Sequence, residues 1–498
     1  VTVILGIDQS TSATKALLFT PAGELLDKTS LPHRQIYPRP GWVEHDAEQI
    51  YANTLQAIGQ LLDKHPDLLQ DLLCLSLTNQ RETFVIFERA SGKPLHNAIV
   101  WQCRRGEPVC AELVAAGHSE QVQQLTGLKI DTYFPAPKLK WLLDDQPALR
   151  QKLITGEALF GTIDTYLIYR LTGGRVFATD HTNASRTLLY DIRKLRWDEG
   201  LCELFGAPPA ALPEVRESSA RFGVTDLEGR LGRPLPICGV MGDSQAALFA
   251  QRAFKAGSAK VTFGTGSSIL LNLGDELKYS ANGIVTTIGW VYQGRPTYAF
   301  EGITNFTGAI IAWLRDQLNL IDSADETEAL ATAVENNGGV YLVPAFVGFS
   351  APYWRPEARA AILGLTPYST KNHVVRAALE SIAYLIYDVL KLMGQEAGLE
   401  LQNVRADGGA VKNRFLMQFV ADITRLTVRV SSLPELSALG AVFCGALGMR
   451  EEYDAQYHSL QELQALPMAY LDYRPAMPIE QAQALYQGWQ NAIRQILS

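Results

Sequence analysis

The stretch Ile4-Leu5-Gly6-Ile7-Asp8-Gln9-Ser10-Thr11-Ser12-Ala13-Thr14-Lys15-Ala16-Leu17-Leu18-Phe19 decides the reading of this chain. Two apolar runs flank a short turn of hydroxyls, with the carboxylate of Asp8 near the end of the first run. Short apolar runs separated by small polar residues predict a strand, a turn and a second strand. A Gly/Ser/Thr turn presents backbone N–H groups and hydroxyls that suit phosphate oxygens. A carboxylate beside it can hold Mg2+ or take a proton from an attacking hydroxyl. Midway along the chain, Gly239-Val240-Met241-Gly242-Asp243-Ser244-Gln245-Ala246-Ala247 is followed by Lys260-Val261-Thr262-Phe263-Gly264-Thr265-Gly266-Ser267-Ser268. This passage repeats the first in outline: strand, carboxylate, small hydroxyl-rich turn. Two such loops facing each other across a cleft would be an apparatus for moving a phosphoryl group. Either loop alone is also what an ordinary hairpin with a polar turn would look like.

The chain has 498 residues, beyond the length at which a single core stops growing, so two domains are expected. A net charge of −8 argues against a nucleic-acid partner and against an anionic membrane surface, since either calls for a basic face. No apolar run is long enough to cross a bilayer, and the chain enters a strand at its start, so neither membrane insertion nor a signal peptide is expected. The six cysteines form no CxxC pair and no zinc-type spacing with histidine, which fits buried free thiols in a cytoplasmic protein.

Residues 1–30 predict a β-hairpin turning at Pro21-Ala22-Gly23-Glu24. Apolar residues at helical spacing between Asp46 and Asp63 predict a helix. The apolar run Leu73–Thr78 predicts a buried strand that delivers Asn79-Gln80-Arg81-Glu82 at its end, and Thr83–Phe87 and Ala98–Trp101 predict further strands. Asp164 is placed as the N-cap of a helix closed by Gly173-Gly174. In the second half, strands are expected near 259–272, 284–300 and 340–344, and long helices near 302–318, 373–396, 412–425 and 436–447. Alternation of strand and helix in both halves predicts two α/β domains with a cleft between them, residues 1–249 and 250–498.

No Walker-type phosphate loop, GxGxxG, GxSxG or HExxH motif is present. The chemistry-bearing clusters are of another kind. Vicinal hydroxyls both donate and accept, and Arg81 supplies donors beside the acceptors of Glu82; the competing reading is a surface ion pair. Trp101 offers an aromatic face to C–H groups, although a packing role is the commoner one. Asp407-Gly408-Gly409-Ala410-Val411-Lys412-Asn413 follows a strand and opens a helix, whose N-terminus favours phosphate or another electron-rich edge; a tight turn would read the same.

These passages together resemble the FGGY family of carbohydrate kinases over nearly the whole chain, and within it the glycerol kinases most closely. The most specific segments are Tyr37–Asp46 (YPRPGWVEHD), Thr78–Thr83 (TNQRET) and Asn97–Arg105 (NAIVWQCRR), joined by Phe160–Thr165, Asp180–Thr187 and Tyr341–Phe346. The resemblance implies two actin-like (ribonuclease H-like) domains of the sugar kinase, actin and heat-shock ATPase type, closing on ATP and substrate. It implies Asp243 as general base and Asp8 as the carboxylate that orients Mg2+. It implies Arg81, Glu82, Trp101 and Tyr133 as polyol-binding residues, together with Asp243, Ser244 and Ser268. Thr11, Ser12, Lys15, Gly264, Thr265, Gly266, Gly308, Gly409, Ala410 and Asn413 are implied on the nucleotide side.

The chain departs from that family pattern at several positions. Ser244 stands where glycerol kinases have Gln, and Ser268 where they have a Phe wall; both changes remove bulk and leave hydroxyls. Ser10 replaces Gly, Lys15 replaces Arg and Ala312 replaces Gln, while Gly229–Pro234 does not keep the loop tied to fructose-bisphosphate inhibition in enterobacterial members. The resemblance therefore implies an ATP-dependent kinase of a terminal polyol hydroxyl, with glycerol going to glycerol 3-phosphate. Alternatives are a longer sugar alcohol or a ketose, and, from another class, a non-catalytic actin-like nucleotide switch. Retention of both Asp8 and Asp243 speaks against the switch. The partner is then a small molecule, and the resemblance allows a homodimer or a homotetramer.

Overall fold

In the first half of the chain, buried apolar runs become the middle of a six-stranded sheet. Its spatial order is Arg221–Thr225, Leu235–Gly242, Leu72–Asn79, Val3–Gln9, Ala13–Phe19 and Leu25–Pro32. The computed structural model describes residues 2–349, 352, 353, 355 and 357–498. The three inner strands Leu235–Gly242, Leu72–Asn79 and Val3–Gln9 run parallel, and Val3–Gln9 is buried along its whole length. Burial on both faces is why these segments are continuously apolar rather than alternating. The helix Ala47–Lys64 covers one face, capped by Asp46, whose side chain accepts from the N–H groups of Glu48 and Gln49.

The second half repeats this plan. A seven-stranded sheet is ordered Val285–Tyr292, Arg295–Thr304, Ser267–Gly274, Ser258–Phe263, Asn403–Gly408, Val428–Ser431, Tyr470–Tyr473. Ser258–Phe263 pairs antiparallel with Ser267–Gly274 and parallel with Asn403–Gly408, as Val3–Gln9 pairs with Ala13–Phe19 and Leu72–Asn79 in the first sheet. A smaller four-stranded sheet, Glu44–His45, Ala98–Ile99, Phe84–Glu88 and Ala158–Thr162, builds out the first half beside the site. The helix Leu436–Gly448 belongs to the second half in sequence but packs on the first sheet. Its Leu439, Val442 and Phe443 share one core with Ile4, Phe19, Cys74 and Met241.

Three local expectations need correction. Where the sequence predicts one hairpin over residues 1–30, residues 3–32 form a three-stranded meander, because the hydroxyl turn at Ser10–Ser12 reverses the chain as well as the turn at Thr20–Glu24. Asp164 lies inside the helix Ile163–Leu171, whose N-cap is Thr162. Its buried carboxylate accepts from the hydroxyls of Thr162 (2.6 Å) and Thr179 (2.6 Å), and these bonds take the place of capping. The mid-chain acidic passage is two structures: Asp243 follows a strand of the first sheet, while Gly264-Thr265-Gly266 turns a hairpin of the second. The counterpart of the Asp8 hairpin in the second sheet thus carries no acid in its turn.

Candidate active site

The parallel strands of the first sheet end on one side, and each leads into polar residues. Val3–Gln9 runs into Ser10-Thr11, Leu72–Asn79 into Gln80-Arg81-Glu82, and Leu235–Gly242 into Asp243. Carboxyl ends of parallel strands are where α/β sheets place their ligands, because loops diverge there and leave a crevice. The ends are pinned by a buried polar hub. Asn79 and Asn183 exchange amide hydrogen bonds of 2.9 and 3.1 Å. Thr182, held by both oxygens of Asp180, accepts from the N–H of Gly242 at 2.8 Å, one residue before Asp243.

A cavity of about 700 Å³ opens at these ends, and part of its lining is Arg81, Glu82, Trp101, Tyr133, Asp243, Ser244 and Ser268. Its floor is an ionic cluster in which every charge has an opposite partner. Arg81 Nη2 lies 2.6 Å from Glu301 Oε1, and Arg81 Nε lies 3.2 Å from Asp243 Oδ1 and 3.8 Å from Glu82 Oε1. Arg186 reaches Glu82 and Glu301, each at 2.6 Å. Arg81 and Glu82 are buried, so they are not the surface pair that their spacing also allowed. Burial pushes Glu301 up, but the guanidiniums of Arg186 and Arg81 outweigh it and hold the carboxyl at about 2. Glu82 has φ of 63°, a left-handed conformation in a residue with a Cβ, which is the kind of backbone strain that collects at functional sites.

One wall of this cavity is aromatic. The rings of Trp101 and Tyr133 lie 5.3 Å apart, and Trp101 Nε1 donates to Thr11 Oγ1 at 3.0 Å. The lining also carries hydroxyls: Ser244 Oγ and Ser268 Oγ stand 3.5 Å apart, from different halves of the chain. Thr11 and Gly266 line this cavity.

A second cavity of about 520 Å³ belongs to the second half. Gly264, Thr265, Gly308, Gly409, Ala410 and Asn413 line it, and Thr265 lines both cavities and joins them. The two glycines of Asp407-Gly408-Gly409 serve different ends. Gly408 has φ of 99°, and a Cβ there would stand 2.4 Å from the carbonyl oxygen of Phe263, so the fold itself demands glycine. A Cβ on Gly409 would meet nothing, so its missing side chain leaves open space in the cavity. Asn413 caps the helix Arg414–Thr424 by accepting from Leu416 N at 2.9 Å.

Asp8, Lys15 and Ser12 line neither cavity. Asp8 is buried near the end of the strand Val3–Gln9, with Lys15 Nζ 3.4 Å away. Burial raises the Asp8 carboxyl to about 6; Lys15 pulls it down, while Asp243 and Glu435 push it up. Lys15 is shared with Glu435 at 2.7 Å, so much of its charge is already engaged. Ser12 is exposed, and its carbonyl accepts from His33 N.

Arg186 and Glu301 are the site residues that sequence reading missed. Arg186 falls within Asp180–Thr187, a segment that carries the family resemblance but marks no role for it. Glu301 had a usable signal: a carboxylate within the apolar strand Tyr298-Ala299-Phe300, where a charge is tolerated only when paired.

Comparison with known proteins is consistent along the chain. The family model described as "FGGY family of carbohydrate kinases, N-terminal domain" matches residues 3–250, and the C-terminal domain model of the same family matches 259–449. Glycerol kinase 1 of Thermotoga maritima is 47% identical over 495 residues, covering 99% of each chain. The glycerol kinase of Carboxydothermus hydrogenoformans is 46% identical, covering 98% of this chain and 97% of its own. Among solved structures, glycerol kinase of Plasmodium falciparum with ADP superposes with a TM-score of 0.94 at 35% identity, covering 100% of this chain and 98% of that one. A ligand-bound xylulose kinase from Lactobacillus acidophilus, at 21% identity and a TM-score of 0.85 over 99% of both chains, shares the fold.

Proposed function

This chain belongs to the FGGY family of carbohydrate kinases, and from that premise we propose that it transfers the terminal phosphoryl group of ATP to a primary hydroxyl of glycerol, giving glycerol 3-phosphate. The observation that carries this reading is the buried cluster of Arg81, Glu82, Arg186 and Glu301 beside Asp243. It lies at the floor of a cavity that meets a second one at Thr265. Glycerol hydroxyls donate to Glu82 and accept from Arg81, and its C–H faces lie on Trp101 and Tyr133. Asp243 takes the proton of the attacking hydroxyl. The nucleotide occupies the second cavity against Gly308, Gly409, Ala410 and Asn413, with its phosphates directed at the Gly264-Thr265-Gly266 turn and the Thr11 loop.

Asp8 suits a Mg2+ held partly through water: its site offers oxygen donors, and the buried carboxyl, raised to about 6, would be relieved by a cation. Among the described residues no cluster of three or more His, Cys, Asp or Glu could hold a metal ion, so a cation at Asp8 would need phosphate and water for its remaining ligands. Such an ion neutralises charge on the transferring phosphate, and the remaining catalysis is positioning.

A longer polyol or a ketose is the second reading, favoured by the Ser244–Ser268 pair, which leaves two hydroxyls in the cavity lining that extra carbinol groups could engage. A coupled ADP-release screen over glycerol, erythritol, pentitols and ketoses tests both. Glycerol-dependent ADP release supports the first reading. A preference for a four- or five-carbon substrate supports the second, and no polyol-dependent release overturns both.

A further inference from the structure

Lys138 is a buried cation in the helix Pro135–Asp145, one turn from its start. The N-terminal end of a helix repels positive charge, and burial without a counter-ion costs more still, so this position needs a compensating arrangement. The compensation is made of backbone carbonyls. Lys138 Nζ donates to Val100 O at 3.2 Å, to Trp101 O at 3.3 Å and to Tyr133 O at 3.3 Å. An ammonium has three N–H donors, and here three acceptors meet them. No ion pair of Lys138 within 4 Å is found among the described residues.

Two of the three carbonyls belong to Trp101 and Tyr133, whose rings form the aromatic wall of the substrate cavity. They come from separate segments, the loop after Ala98–Ile99 and the turn before Pro135. We propose that Lys138 is a positioning residue: its ammonium ties these two backbones together and so sets the aromatic wall that holds the polyol. This rests on the reading of the cavity as the polyol site. Lys138 touches neither cavity, so it acts on substrate affinity through Trp101 and Tyr133 and leaves the chemical step alone.

The charge state of Lys138 gives the tie a pH dependence. Burial brings the ammonium down to about 7, against the pull of Cys103, Glu82 and Asp131, while Arg105 pushes it further down. Below that pH three donors serve three carbonyls; above it a neutral amine has two.

The test uses the full chain with Lys138→Met and Lys138→Gln. Expected is a rise of about tenfold in the glycerol KM, the scale of one lost charge-assisted hydrogen bond, with kcat and the ATP KM nearly unchanged. The wild-type glycerol KM should climb as pH rises through neutrality, and the Lys138→Met variant should lose that dependence. Hydrogen exchange without substrate is the independent arm. Peptides spanning 98–105 and 130–136 should exchange faster in both variants, with 258–272 unchanged. A glycerol KM and exchange rates like wild type in both variants would overturn the proposal. If the wild type shows no glycerol-dependent ADP release, the glycerol reading fails on its own, and the exchange result alone decides Lys138.

Discussion

Asp243 opens the helix Asp243–Ala250, its side chain partly exposed to the cavity and 3.2 Å from Arg81 Nε. Asp243→Asn keeps the size and loses the base, so kcat should fall by about a hundredfold or more while the ATP KM stays near its wild-type value. Steady-state kinetics with both substrates reads this, and near-normal turnover would remove Asp243 from the chemistry. Glu301 is fully engaged by two buried arginines. Glu301→Gln leaves those arginines under-compensated and should cost about 3 kcal/mol in urea unfolding, the scale of a broken buried ion pair. The folded carboxyl is depressed, so its contribution is complete above its unfolded range near 4.5 and is lost as pH falls toward 2. The difference between wild type and variant should therefore shrink on acidification from pH 6, and a difference that grows instead contradicts the assignment. The paired change Ser244→Gln with Ser268→Phe fills the hydroxyl wall. It should raise the preference for glycerol over four- and five-carbon polyols by about tenfold to a hundredfold, the scale of one apolar wall and one amide bond. An unchanged preference would separate specificity from these two serines.

At the level of elements, the N-terminus of the helix Arg414–Thr424 is the part of the second cavity that a single cap controls. Asn413 accepts from Leu416 N and donates to Thr327 Oγ1 at 3.0 Å. Asn413→Ala should lower stability by about 1 kcal/mol and raise the ATP KM, with the glycerol KM unmoved. A raised glycerol KM with normal ATP kinetics would place the nucleotide elsewhere. The elements that sequence made legible are those whose pattern is local. The apolar runs of Val3–Gln9 and Leu72–Asn79, the spacing in Ala47–Lys64 and the glycines before Asn413 each carry their own signal. Asp164 misled because an acid at a helix start reads as a cap, and only the tertiary fold supplies the hydroxyls of Thr162 and Thr179 that claim it. Leu436–Gly448 is apolar on all sides, which says that it is buried but not against which sheet. Arg186 and Glu301 are separated from Arg81 by more than a hundred residues, and no local pattern records such a pairing.

Over the whole molecule, two sheets of one plan face a pair of joined cavities, and the joints between halves are chemical as well as apolar. Arg81 of the first half pairs with Glu301 of the second, Lys15 of the first half pairs with Glu435 of the second at 2.7 Å, and Leu436–Gly448 seals the second half onto the first sheet. The repeat was legible in outline, since both halves read as strand, small turn, strand. Its register was not, because Asp243 lies close in sequence to the hairpin of the other sheet and the chain gives no local sign of the division between them. No helix among the described residues is long and apolar enough to cross a membrane. The arrangement of the Asp243 carboxylate at one cavity and a Gly-Thr-Gly turn at the junction leads to one central claim, direct transfer from ATP to glycerol within the joined site. The measurement that tests it most directly is 31P NMR of the purified protein with Mg2+, ATP and glycerol, run beside Asp243→Asn. The account predicts glycerol 3-phosphate appearing in step with ADP for the wild type, and neither for the variant on the same timescale. ADP accompanied by inorganic phosphate, with no phosphorylated polyol, would contradict it.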